Sequence, residues 1–147
     1  MEIFIEDLKA NDIEECYELN SLIFNEKWDL AEIKTLYTRL HKLKDSYRFL
    51  VVKNCDNKII GYVSCVIAYN LFDGGRPYME LWWLGIHPNY RRKGIASNLI
   101  NYVENIAKDY NCEFICFSSE KNRIAAHEFY KKNGYEIDSL GFIKEFD

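Results

Sequence analysis

Between Tyr78 and Tyr110 the chain reads YMELWWLGIHPNYRRKGIASNLINYVENIAKDY. An apolar run closes at His87-Pro88, and a short basic loop with one glycine follows. An amphipathic pattern then begins at once, with Ile95, Leu99, Val103, Ile106 and Tyr110 at helical spacing. Phe114 to Phe117 is again a short apolar run. Strand, helix and strand in this order demand a parallel pair joined by a crossover helix, a connection with only one favoured hand. No other stretch restricts the topology so tightly. Its first strand, MELWWLGI, is apolar at nearly every position, which predicts a central strand buried on both faces.

The segments on either side complete a mixed sheet. Ile3 and Ile5, flanked by the acidic Glu2, Glu6 and Asp7, read as a short half-buried strand. Asp12 with Glu15, and Asp29 with Glu32, have the spacing of capping boxes and open two predicted helices. The first carries Ile13, Cys16, Tyr17, Leu19 and Ile23, and the second an apolar stripe of Ile33, Leu36, Tyr37, Leu40 and Leu43. Arg48 to Lys53 and Ile59 to Phe72 read as an antiparallel hairpin across the turn residues Asn54 to Asn57. Arg123 to Lys132 reads as a last helix, with Gly134 as its left-handed cap. Tyr135 to Ile137 and Phe142 to Phe146 are expected to close the chain as a hairpin. The predicted class is α+β: a mixed, mostly antiparallel sheet flanked by about four helices. One domain over 1–147 is expected from the 147-residue length.

Composition narrows the function classes. A net charge of −4 argues against a surface that tracks nucleic-acid phosphates and favours a cationic partner. The five cysteines are odd in number and lack CxxC spacing, and no basic segment leads into an apolar core at the start. A reduced, cytoplasmic protein without metal is expected, and no run approaches a membrane span. Cys65 and Cys116 fall inside predicted strands, as buried thiols rather than nucleophiles.

The chemistry centres on Arg91, Arg92, Lys93, Gly94, Ile95 and Ala96. A helix start presents unpaired N–H groups and a positive dipole end, and Gly94 lets a ligand approach the backbone closely. A solvated basic loop tip would read the same way. Neither the P-loop nor the dinucleotide pattern is present, so ATP and NAD are disfavoured.

Here the residues reach a family. Arg91-x-x-Gly94-x-Ala96 and the later FYKKNGY from Phe129 to Tyr135 resemble the pyrophosphate loop and last helix of the GNAT superfamily of acyl-CoA-dependent N-acyltransferases. The resemblance implies a GNAT-like fold in which a splayed parallel strand pair forms the acyl-CoA slot. It implies acetyl-CoA as cosubstrate, held by the Arg91 to Ala96 loop, by the backbone of Leu84, Gly85 and Ile86, and by Asn122, for which N-capping is the simpler role. It further implies Glu80 as general base and Tyr130 as general acid. Glu80 as an ion-paired strand residue and Tyr130 as core filler are the competing readings. The acceptor side is expected to include Trp28, Tyr69, Tyr78, Glu80 and Trp82, acid and aromatic groups that suit a cationic amine. An aminoglycoside or polyamine is the leading acceptor class. A protein or peptide amine is the alternative, and a non-catalytic CoA-binding regulatory domain is the reading from another class. A homodimer is a candidate assembly.

Overall fold

The computed structural model describes residues 1–147. Its elements run β1 (Ile3–Asp7), a 3₁₀ turn (Ala10–Asp12), α1 (Ile13–Phe24), α2 (Leu30–Leu40), β2 (Tyr47–Asn54), β3 (Ile59–Tyr69) and β4 (Pro77–Ile86). A second 3₁₀ turn (Pro88–Tyr90), α3 (Ile95–Asp109), β5 (Ile115–Cys116) and α4 (Ile124–Lys132) follow. The strands form one sheet in the order β1-β2-β3-β4-β5. The first three pairings are antiparallel and β4–β5 is parallel. The expected mixed, mostly antiparallel sheet with four helices is what the chain adopts. Residues Met1–Cys116 and Phe117–Asp147 form two compact units, each described by itself.

Register assigns the side chains of the first unit to two faces. Leu50 lies opposite Val63, Cys65 opposite Leu81, and Ile67 opposite Met79, and all of them are buried. Tyr110, the residue that ends α3, interacts with Arg48, which lies opposite Cys65, so α3 covers this face. Ile95, Leu99, Ile100, Val103 and Ile106 supply its buried stripe. Opposite, Leu19 clusters with Val51, Ile59 and Tyr62, and Cys16, Ile23 and Phe24 pack around them. α1 therefore covers the second face, over only part of its length.

That incomplete cover corrects the reading of β4 as buried on both faces. Met79 and Leu81 are buried, Glu80 is half-exposed, and Trp82 and Trp83 are exposed at 47% and 42%. A central strand with one open face reads as uniformly apolar when its open side carries aromatics.

Of the two expected helix caps, only the second forms. Asp12 makes no cap on α1. Its carboxylate accepts from the Lys9 N–H (3.1 Å) and from Lys53 Nζ (2.8 Å). Glu15 accepts instead from the Ile59 N–H at 3.0 Å. Both carboxylates serve distant partners, which a local spacing rule cannot register. Asp29 does cap α2, accepting from the N–H groups of Ala31 and Glu32. The stripe of α2 is shallow: none of its residues is buried, and Leu36 is exposed. β3 ends at Tyr69 rather than Phe72.

In the second unit, Gly134 adopts φ 87°, and the Tyr135 N–H reaches back to the Tyr130 carbonyl at 3.1 Å, the bond expected of a glycine-terminated helix. The expected final hairpin does not form. Residues 135–147 have no strand, and Phe142 and Phe146 stand 95% and 85% exposed. Alternating apolar residues make a strand only when a partner ladder takes up their backbone groups.

Lys53 is a buried cation, bonded to Glu6 (2.7 Å) and to the likewise buried Asp12 (2.8 Å). Burial pulls its pKa down, but the hydrogen bonds to Asp12 and Glu6 outweigh it and the net shift is upward. The hydrogen bond from Lys53 is the main cause that holds the Glu6 carboxyl below its ordinary value, against burial. Glu6 therefore contributes stability that is present above pH 4.5 and lost as pH falls through its lowered pKa. Lys53→Met is expected to cost about 3 kcal/mol at pH 7, chiefly by leaving the buried Asp12 carboxylate without its counter-charge, since Glu6 keeps Lys9. Urea unfolding should show the deficit shrinking below pH 4.5.

Candidate active site

β4 positions most of the expected site. Pairing with β3 places Tyr62 opposite Gly85 and Ser64 opposite Trp82, so Trp83 and Leu84 together face Val63. This is a bulge, and Trp83 takes φ 56°, a conformation that non-glycine residues rarely adopt. The ring of Phe24, at the end of α1, meets Trp83 edge-on with centroids 5.0 Å apart. Gly85 lies under the same helix end: a Cβ there would stand 2.9 Å from Ile23 Cδ1 and 3.2 Å from Tyr62 Cε1. Reading the sequence missed the bulge. Its signal was the adjacent pair Trp82-Trp83 just ahead of a glycine, where strict alternation fails.

The outer edge of β4 is paired only at Met79 and Glu80, to Ile115 and Cys116. From Leu81 to Ile86 it carries no strand, so the backbone of Leu84, Gly85 and Ile86 borders an open edge. Glu80 points to the α1 face, opposite Val66, and its charge reaches the Cys116 thiol. Burial first, and that charge second, push the Cys116 thiol up. Cys65 is pushed to about 12, chiefly by burial, and so is Cys16. None of these is a ready thiolate.

Beyond β4 the loop turns twice through left-handed backbone, at Arg92 (φ 63°) and Gly94 (φ 78°). The Arg91 guanidinium folds back and its Nε donates to the Ile86 carbonyl at 3.0 Å. Arg92 and Lys93 stay exposed, with Lys93 Nζ 5.2 Å from the Tyr90 ring centre. The first backbone N–H of α3 to bond a protein carbonyl is that of Asn98, to Gly94 at 3.0 Å. The N–H groups of Arg92 through Ala96 are thus left as donors, and the space where a Gly94 side chain would stand is open. An anion fits this start of α3 on both counts.

Of the residues expected on the acceptor side, Trp28 is 60% exposed in the joint between α1 and α2, its Nε1 donating to Glu26 (3.3 Å). Tyr78 stacks on Phe114 at 5.2 Å. Tyr69 stands exposed at the far end of β3, opposite Pro77. Tyr78, Glu80 and Trp82 share one face of β4 through alternation, whereas Trp28 comes from another element.

Tyr130 and Asn122 belong to the second unit. Tyr130 sits among rings, 4.4 Å from Phe117 and 5.3 Å from Phe129. Burial raises its pKa, against the pull of Arg123, so the phenol holds its proton beyond pH 10. Asn122 does not cap α4; Arg123 occupies that position, and Asn122 offers its carbonyl to the Ile124 N–H (3.0 Å).

Comparison with known proteins adds to this geometry. The sequence profile described as the acetyltransferase (GNAT) family matches residues 13–135. An aminoglycoside N(6')-acetyltransferase type 1 of Acinetobacter baumannii is 28% identical over 120 residues, covering 79% of this chain and 78% of that protein. Among solved structures, glucosamine-6-phosphate N-acetyltransferase from Arabidopsis thaliana superposes with a TM-score of 0.86 at 16% identity, over all of both chains. AAC(6')-Iy in complex with a bisubstrate analogue of CoA and acetylneamine superposes at 0.82 with 15% identity, again over all of both chains.

The thiols provide a check on this geometry. Of the five, only Cys55 is exposed. A thiol reagent at pH 8 should label Cys55 in a fast phase that Cys55→Ser abolishes. Cys16 and Cys65, with values near 12, should react only on unfolding.

Proposed function

This chain belongs to the acetyltransferase (GNAT) family, and on that premise we propose that it moves the acetyl group of acetyl-CoA directly to the primary amine of a small cationic acceptor. One observation carries the reading. Within β4 and the loop that follows, the chain runs from a half-exposed carboxylate at Glu80, through a bulge at Trp83-Leu84, to a donor-rich helix start at Gly94. A base, an unpaired backbone segment and an anion seat thus follow one another along a single strand.

Acetyl-CoA would bring an activated acyl group on a thiol that leaves readily. The N–H groups of Arg92 to Ala96, with the Arg92 and Lys93 side chains, are assigned to its pyrophosphate. The open edge at Leu84, Gly85 and Ile86 is assigned to its amide-bearing arm, and Asn122 is kept as a further contact by family resemblance. Arg91 plays a supporting part, since its guanidinium is committed to the Ile86 carbonyl. The Leu84 N–H, within the bulge, is assigned to the acetyl oxygen.

Glu80 is assigned as general base. An amine of pKa about 10 is mostly protonated at neutral pH, and attack requires the free base. Tyr130 is assigned as general acid to the departing sulfur, a role its upward-shifted phenol suits. The relatives named for aminoglycoside N(6')-acetylation give aminoglycosides a place in any acceptor panel, and polyamines join them as small cationic amines.

Thiol release from acetyl-CoA across a panel of small amines tests the reading. Stimulation by peptides alone would replace the small acceptor with a protein amine. Thermal stabilisation by acetyl-CoA with no acetylated product from any amine would leave a CoA-binding regulatory domain. Glu80→Gln should reduce the rate more at pH 6.5 than at pH 9.5, where free amine is abundant; an unchanged pH profile removes it as base. Tyr130→Phe should lower kcat by roughly tenfold to a hundredfold with little change in acetyl-CoA affinity, since a thiol of pKa about 8.5 needs only modest help to leave.

A further inference from the structure

Building on the acetyltransfer reading, we propose that the acceptor is a monocationic amine with a flat apolar body, of the arylalkylamine class, lying in a trough across the open face of the sheet. The register defines the trough. On the face that α1 leaves uncovered, β3 contributes Ser64, Val66 and Ala68, all small and half-exposed. Their partners on β4 are Trp82, Glu80 and Tyr78, and those of Ser64 and Val66 on β2 are Phe49 and Tyr47. Small side chains thus form a floor between two aromatic walls.

The dimensions suit one ring. Strands that flank a third stand about 10 Å apart, and side chains rise roughly perpendicular to the sheet. A flat group midway lies about 5 Å from either wall, within the range over which aromatic pairs attract. Tyr47 and Phe49 already stand parallel, with an interplanar angle of 5° and centroids 6.3 Å apart, as one continuous wall.

The charges point the same way. Glu80 is the sole carboxylate among these strand residues, with an aromatic two places before it and another two places after it. One ammonium at Glu80 is paired and has Tyr78 and Trp82 beside it. Arg48 projects to the other face and is bonded to Asp7, so these strand residues add no cation to the trough. A second or third ammonium of a polyamine or aminoglycoside would find no second carboxylate on these strands, and ring faces alone hold a desolvated ammonium less well than an ion pair does.

Steady-state kinetics of the full chain with acetyl-CoA and 2-phenylethylamine, ethylamine, spermidine and kanamycin test this. Expected is a kcat/KM for 2-phenylethylamine about tenfold or more above each of the other three, the upper value of one aromatic pair. Spermidine or kanamycin equal to or better than 2-phenylethylamine would overturn the proposal while leaving acetyltransfer intact. No turnover with any amine would overturn acetyltransfer and this proposal together. Phe49→Ala should raise KM for 2-phenylethylamine about tenfold more than for ethylamine, with Phe49→Tyr restoring the ratio. An equal rise for both amines would reduce Phe49 to a structural role and remove that wall. Ser64→Glu should turn the preference toward spermidine by placing a second carboxylate on the floor; an unmoved preference counts against the trough.

Discussion

Unequal pairing along the two edges of β4 is the constraint on which the rest of the structure depends. Its β3 edge is bonded from Pro77 to Ile86, interrupted only at the bulge, while its other edge is bonded only over its first residues, from Pro77 to Glu80. A strand held on one side is rigid enough to aim side chains, and its free side offers backbone groups to something other than protein. The bulge at Trp83 sits in the half that has lost its second partner. There the left-handed residue is supported from the α1 side by Phe24 rather than by a neighbouring strand.

The two faces of this sheet have different tasks. The α3 face is close-packed, with Val63, Cys65, Met79 and Leu99 essentially inaccessible, and it supplies most of the apolar burial of the first unit. The α1 face is packed only as far as Tyr62 and Gly85; beyond them the side chains are half-exposed. Burial on one side frees the other from a structural role. Glu80 can therefore stand in the middle of a five-stranded sheet without a buried counter-charge.

Local signals were the legible ones. The crossover helix showed itself through Ile95, Leu99, Val103 and Ile106, and the left-handed Gly134 through its place at a helix end. What the sequence did not reveal was set by distant partners. Asp12 and Glu15 have capping spacing, yet one is claimed by Lys53 and the other by the Ile59 N–H, each more than forty residues away. The open face of β4 was hidden because Trp82 and Trp83 count as apolar whether or not anything covers them. The tail from Tyr135 has strand composition, but composition cannot provide a partner strand. For the candidate site, residue identities on β4 and the basic loop were readable in advance. The bulge and the β2 wall were not, since both arise from register between strands.

The bond from Arg91 to the Ile86 carbonyl has a kinetic consequence. It fastens the loop to the strand end, so on the proposed reading the donors from Arg92 to Ala96 would need no ordering when the cofactor binds. The chain as a whole carries −4, and an approaching polyanion meets repulsion over much of its surface. The exposed Arg92 and Lys93, at the positive end of α3, make this loop an exception. Encounter would therefore be guided to one place and slowed by added salt, with a loop already shaped to receive what is guided there.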